Sequence, residues 1–113
     1  MRKQKSYVFW TKGGKFETDD VNLVRQAGKR GKLHRVGGPA FEDRLTTLEG
    51  WYFEGRLHRL DGPAVSDSAL FNGGSWWIHG KQLVTEEVTQ WILENDVDLK
   101  TDEGKMAFKM RWS

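Results

Sequence analysis

Two histidine–arginine pairs are the residues of this chain best suited to chemistry. They are His34-Arg35 in GKLHRVGGPA at residues 31–40 and His58-Arg59 in GRLHRLDGPA at residues 55–64. An imidazole titrates near neutral pH and can move a proton or ligate a metal, and a guanidinium recognises carboxylates and phosphates in a fork. The third histidine, His79, sits in a turn slot that Glu54 fills one repeat earlier. A zinc-type centre needs three or four ligands drawn from Cys, His and carboxylates. The chain has no cysteine, and no carboxylate stands at a short fixed spacing beside the histidines, so neither a metal nor another cofactor is expected. Each imidazole is instead expected to pack on the neighbouring hairpin with its nitrogens bonded to backbone groups. Arg35 and Arg59 should each reach a carboxylate or an exposed carbonyl. Asp61 is the candidate partner of Arg59, and its counterpart in the first copy is Gly37, which offers no carboxylate.

The whole phrase recurs, and that shifts weight from chemistry to structure. Seven of its ten positions are identical, the copies lie 24 residues apart, and both prolines, Pro39 and Pro63, fall at equivalent places. In LDGPA, Asp61-Gly62 turns the chain and Gly62 takes the extended conformation required before a proline. Pro63 then opens a strand where no donor is needed. The repeat runs further, since WYFEGRL at 51–57 is echoed by WWIHGKQL at 76–83 with a spacing of 25, and more weakly by WTKGGKF at 10–16. Each unit is two aromatics, a short turn ending in Gly, a basic residue and an apolar one. Glu54-Gly55, His79-Gly80 and Asn72-Gly73 are tight-turn signals, and periods of 20 to 50 residues mark supersecondary units stacked side by side. Asn72-Gly73 should join a strand over 64–71 to one over Ser75 to Ile78.

After Leu83 the period changes. TEEVTQWILEN reads as an amphipathic helix over 86–94, with Thr85 as N-cap, Glu86 and Glu87 in its first turn and Asn95 as its stop. Trp91 and Ile92 should lie against the open end of the sheet. In the tail, Phe108, Met110 and Trp112 alternate with Ala107, Lys109 and Arg111, which favours a final strand, although a short helix opened by Thr101 also fits. Residues 17–30 lack a strong period and read as a loop or a degenerate repeat. The expected architecture is α+β, a single domain over 1–113. It comprises a basic part at 1–30 holding a degenerate repeat, antiparallel β-hairpin repeats over 31–84 forming a meander sheet, and a helix with its tail over 85–113.

The pattern of an aromatic pair, a Gly turn, G[KR]LHR and GPA, followed by HGKQL and a Thr-started acidic helix, resembles the MORN-like repeat proteins. In particular it looks like the variant with GKLHRxDGPA units found in small proteins of bacteriophages and bacteria. The resemblance covers residues 31–94. It implies a curved antiparallel sheet of hairpins used for interaction and a role as a phage or bacterial accessory protein. The HR and GPA elements depart from ordinary MORN units, so no membrane partner is expected.

Composition narrows the function classes further. The 113 residues carry no signal-like apolar run and no stretch of about 20 apolar residues, which reads as a cytoplasmic chain. Net charge is +2, yet residues 1–35 carry ten basic residues against three acids while residues 36–113 carry eight against thirteen. No nucleophile elbow or phosphate loop accompanies the serines and glycine pairs, so the chain is not expected to be an enzyme. Protein binding is the leading expectation, with Trp51 and Trp76 facing inward and Tyr52 and Trp77 outward on a rigid sheet, joined by Arg35 and Arg59. The partner is then a host or phage protein, docked on and modulated or inhibited. The alternative is a nucleic acid held by Lys12, Lys15, Lys29, Arg30 and Lys32 among the N-terminal aromatics.

Overall fold

A computed structural model describes residues 4–67 and 74–113. The molecule is α+β and elongated, 50 × 28 × 22 Å, as side-by-side stacking of short hairpins requires. Strands β1 (Tyr7–Thr11) and β2 (Gly14–Thr18) form the first hairpin, and helix α1 (Val21–Lys29) follows. Strands β3 (Phe41–Asp43), β4 (Glu49–Gly50) and β7 (Val65–Ser66) complete an antiparallel sheet in the order β2-β1-β3-β4-β7. Two further hairpins pair β5 (Tyr52–Phe53) with β6 (Arg56–Leu57), and β8 (Trp77–Ile78) with β9 (Lys81–Gln82). Their turns are Glu54-Gly55 and His79-Gly80, with φ of +50° and +82° in the first and +50° and +79° in the second. Both central residues have positive φ, which suits the right-handed twist of a two-residue hairpin. The Asn72-Gly73 turn lies outside the described residues, but Val65 and Ser75 bridge antiparallel on either side of it.

Helix α2 (Thr85–Asn95) begins one residue earlier than the spacing suggests. Thr85 is its first residue, not its cap. The N-cap is Val84 without a side-chain bond, and Asp96 ends the helix in the left-handed region at φ +51°. The acidic first turn, Glu86 and Glu87, compensates for the missing cap through the helix dipole.

Two other expectations are corrected. Residues 17–30 are neither loop nor repeat: β2 ends at Thr18 and α1 follows, capped by the Asp20 side chain accepting from the Asn22 amide at 2.9 Å. Val24 is buried and Ala27, one turn on, packs beside it. The tail is not a strand but helix α3 (Asp102–Trp112), where Thr101 Oγ1 accepts from the Gly104 amide at 2.9 Å. Phe108 and Trp112 alternate as a strand would have them, but they are also four apart, one above the other on a single helix face.

Cores form at both ends of the stack. At the first, Phe9, Val24, Leu33 and Ala40 cluster under α1. At the other, Trp76, Ile78, Leu83, Val88 and Phe108 are buried, with Trp91, Ile92 and Trp112 packed around them. Phe108 is 0% exposed and meets Trp76 edge-on at 5.6 Å.

Candidate docking groove

The repeated phrase builds the seams between units, and its histidine, arginine and Gly-Pro positions make contacts that recur. In the first copy His34 Nδ1 accepts from the Glu54 amide at 2.9 Å, and in the second His58 Nδ1 accepts from the His79 amide at 3.1 Å. Each imidazole therefore holds the turn of the next hairpin. Accepting at Nδ1 leaves the proton of the neutral ring on Nε2. The backbones repeat the pattern, with Gly55 and Gly80 amides donating to Leu33 and Leu57 carbonyls at 2.8 Å, and Arg35 and Arg59 amides donating to Tyr52 and Trp77 carbonyls.

The arginines are equally periodic. The Arg35 guanidinium lies 4.1 Å from the Trp10 ring centroid and that of Arg59 lies 3.8 Å from Trp51. Each Nη1 donates back to the carbonyl of its own proline, Pro39 or Pro63, at 3.1 Å. The glycine before each proline makes room for that arc: a Cβ on Gly38 would sit 2.6 Å from the Arg35 guanidinium carbon, and one on Gly62 would sit 3.0 Å from that of Arg59. Arg59 Nε also donates to Asp61 at 2.7 Å, the pair expected from the sequence. Trp10 Nε1 and Trp51 Nε1 are both buried without an acceptor among the described residues. An unpaired donor costs about 1–3 kcal/mol, which the stacked cation offsets by about 0.5–2 kcal/mol.

The third unit ends the series. Leu83 donates its amide to the Trp76 carbonyl, as His58 does to Trp51, but no arginine follows, and Phe108 covers Trp76 instead. The first unit carries an insertion: His34 pairs with Trp10 across 24 residues of chain, where His58 pairs with Trp51 across seven. The second strand of the first hairpin and α1 are that insertion.

A row of rings runs along the seams. His34 lies 4.9 Å from Phe53, Phe53 lies 6.0 Å from His58, and His58 stacks on His79 at 4.5 Å. Burial, the neighbouring His79 and Lys109 all push the His58 pKa below its ordinary value. Beside this row is a groove of about 350 Å³. Val36, Trp51, Phe53 and Leu60 supply its apolar walls, and Arg35, Arg59 and, from α3, Lys105 supply its cations. Val36 and Leu60 hold the same place in the phrase, but Leu60 packs against the C-terminal core while Val36 is 77% exposed.

Arg35 and Arg59 thus come together at the groove, Arg35 with Nη1 committed to Pro39 and Arg59 with Nη1 and Nε committed to Pro63 and Asp61. Tyr52 does not face outward as expected. It packs against the N-terminal core, where burial raises its phenol pKa. Trp77 is half-buried, with Nε1 donating to Ser75 Oγ at 2.8 Å. The aromatic that reaches the surface is Phe53, at 38% exposure. Of the basic set, Lys12 and Lys32 line a separate depression with His34 and Glu54. Lys15 lies 3.8 Å from Glu17, and Lys29 and Arg30 end α1. Phe9 is core and Trp10 is covered by Arg35, which leaves Phe16, stacked on Phe9 at 5.2 Å, as the exposed ring near these cations.

Among the described residues no group of three or more His and carboxylates could hold a metal ion, and no helix is long and apolar enough to cross a membrane. Compared with protein-family models, curated proteins and solved structures, the chain matches none.

Proposed function

We propose that this chain is a non-enzymatic protein-binding module of the MORN-like kind, a small phage or bacterial accessory protein acting in the cytoplasm by docking on a host protein and modulating or inhibiting it. The observation that carries this reading is the groove beside Phe53. It offers rigid apolar wall at Val36, Trp51 and Leu60 with polar groups on its rim, the composition that anchors interfaces. Rigidity comes from the seams, because each side of the groove is tied through His and Arg to the next hairpin. Docking there costs little ordering entropy.

Nucleic acid is the weaker reading. The exposed lysines of the N-terminal unit are spread over a hairpin, a turn and a helix end, while α2, α3 and the turn between them place seven carboxylates against one lysine between Thr85 and Gly104. The test is affinity capture from bacterial lysate beside binding of labelled single-stranded and duplex DNA across a salt series. The proposal expects a discrete retained protein, lost when Val36→Ser and Phe53→Ser are combined. Steep salt-dependent DNA binding with no retained protein overturns it.

A further inference from the structure

Resting on that docking reading, we propose that the groove takes an extended acidic segment of the partner protein. One carboxylate side chain of the segment is received by Arg35 and Lys105, and a flanking large apolar side chain lies on Val36 and Phe53. The argument is one of charge and cover. Three cations line the groove, Arg35, Arg59 and Lys105, against one carboxylate, Asp61. Asp61 is already taken by Arg59, at 2.7 Å. Arg59 spends a second donor on Pro63, whereas Arg35 spends Nη1 on Pro39 and has no ion pair among the described residues. Lys105 has no carboxylate partner among the described residues either, although its helix begins with Asp102 and Glu103.

Two cations without counter-ions among the described residues therefore flank an apolar wall, and a guanidinium with free N–H groups binds a carboxylate through charge-assisted hydrogen bonds. Lys109 adds positive charge from the same helix, since it acts on His58. His58 contributes a neutral ring with its remaining N–H at Nε2, a donor rather than a competing charge. An acidic side chain alone would leave Val36 in water, and an apolar one alone would leave the cations unpaired. A segment carrying both satisfies the groove. A phosphate backbone does not suit it, because Asp61 stands in the groove and has no place beside a row of phosphates.

Capped hexapeptides alternating Glu and Phe test this on the full-length protein, followed by NMR of the Val36 methyls and the Phe53 and Lys105 amides. The expected result is saturable shifts at those three residues. Replacing Glu by Gln in the peptide should weaken binding about fivefold at low salt, with the difference closing as salt rises. Lys105→Glu should erase the preference for Glu while leaving the spectrum of the folded protein in place. Equal affinity for the Glu and Gln peptides, or shifts confined to other residues, overturns the acidic-segment proposal. So does displacement by a single-stranded oligonucleotide from the same three residues. If a protein captured from lysate is retained unchanged by the Val36→Ser, Lys105→Glu double variant, the groove falls as the docking site and only protein binding elsewhere on the chain stands; if neither protein nor peptide binds, both readings fall.

Discussion

The Arg59 guanidinium rests 3.8 Å from the centroid of the Trp51 ring, and Arg35 repeats the relationship over Trp10 one unit earlier. Between the two hydrophobic cores the Arg59–Trp51 stack takes the part that a buried side chain plays elsewhere. Arg59→Ala removes the cation–π contact and hydrogen bonds to Pro63 and Asp61, and should cost about 2 kcal/mol in chemical denaturation. Arg59→Lys should recover less than half of that, because an ammonium cannot stack and fork together.

Gly62 should be coupled to that arginine. Its Cβ would meet the guanidinium at 3.0 Å, and the guanidinium is pinned on three sides, so Gly62→Ala should destabilise the protein by about 1 kcal/mol. In an Arg59→Ala background the same substitution should cost almost nothing. A double-mutant cycle measures the coupling, and additive costs would contradict the seam as described.

The two turn glycines should differ. Gly55 and Gly80 share positive φ, but a Cβ on Gly55 would lie 2.5 Å from the Gly31 carbonyl oxygen, whereas on Gly80 its nearest neighbour is the Arg56 side chain at 3.5 Å. Gly80→Ala should cost about 1 kcal/mol, the ordinary expense of a left-handed alanine. Gly55→Ala should cost clearly more, since backbone must move. Thermal melts of the pair decide it.

Acid should loosen the stack through His58. Its folded pKa lies below the unfolded value of about 6.5, depressed by burial, by His79 and by Lys109. As pH falls through about 6.5 the unfolded chain takes up a proton that the folded chain resists, so stability is full above that value and declines below it. His58→Asn can keep an acceptor for the His79 amide without titrating. Its urea midpoint should fall less between pH 7 and pH 5 than that of the parent protein.

Much of the fold was legible because it is written twice. The turns at Glu54-Gly55 and His79-Gly80, the Arg59–Asp61 pair and the histidine-to-backbone bonds all follow from the repeat and from the donors each side chain carries. What escaped were features read from one copy or from an ambiguous period. Asp20 was a helix cap hidden among acids of the first unit, and Phe108 with Trp112 satisfied strand and helix spacing alike. The groove was harder still. Val36 and Leu60 are equivalent in the phrase and differ only in what covers them, and Lys105 arrives from a helix 45 residues beyond Leu60. Alternation sent Tyr52 outward, but α1, unseen in the periodicity, helps build the core that draws it in.

The central claim is that partner recognition lies in the groove and not in the basic N-terminal unit. Isothermal titration of a captured protein partner against two double variants tests it most directly. Val36→Ser with Lys105→Glu should weaken binding about tenfold or more, while Lys15→Glu with Lys29→Glu should leave it within about twofold. Unchanged affinity in the first variant and loss in the second would contradict the account.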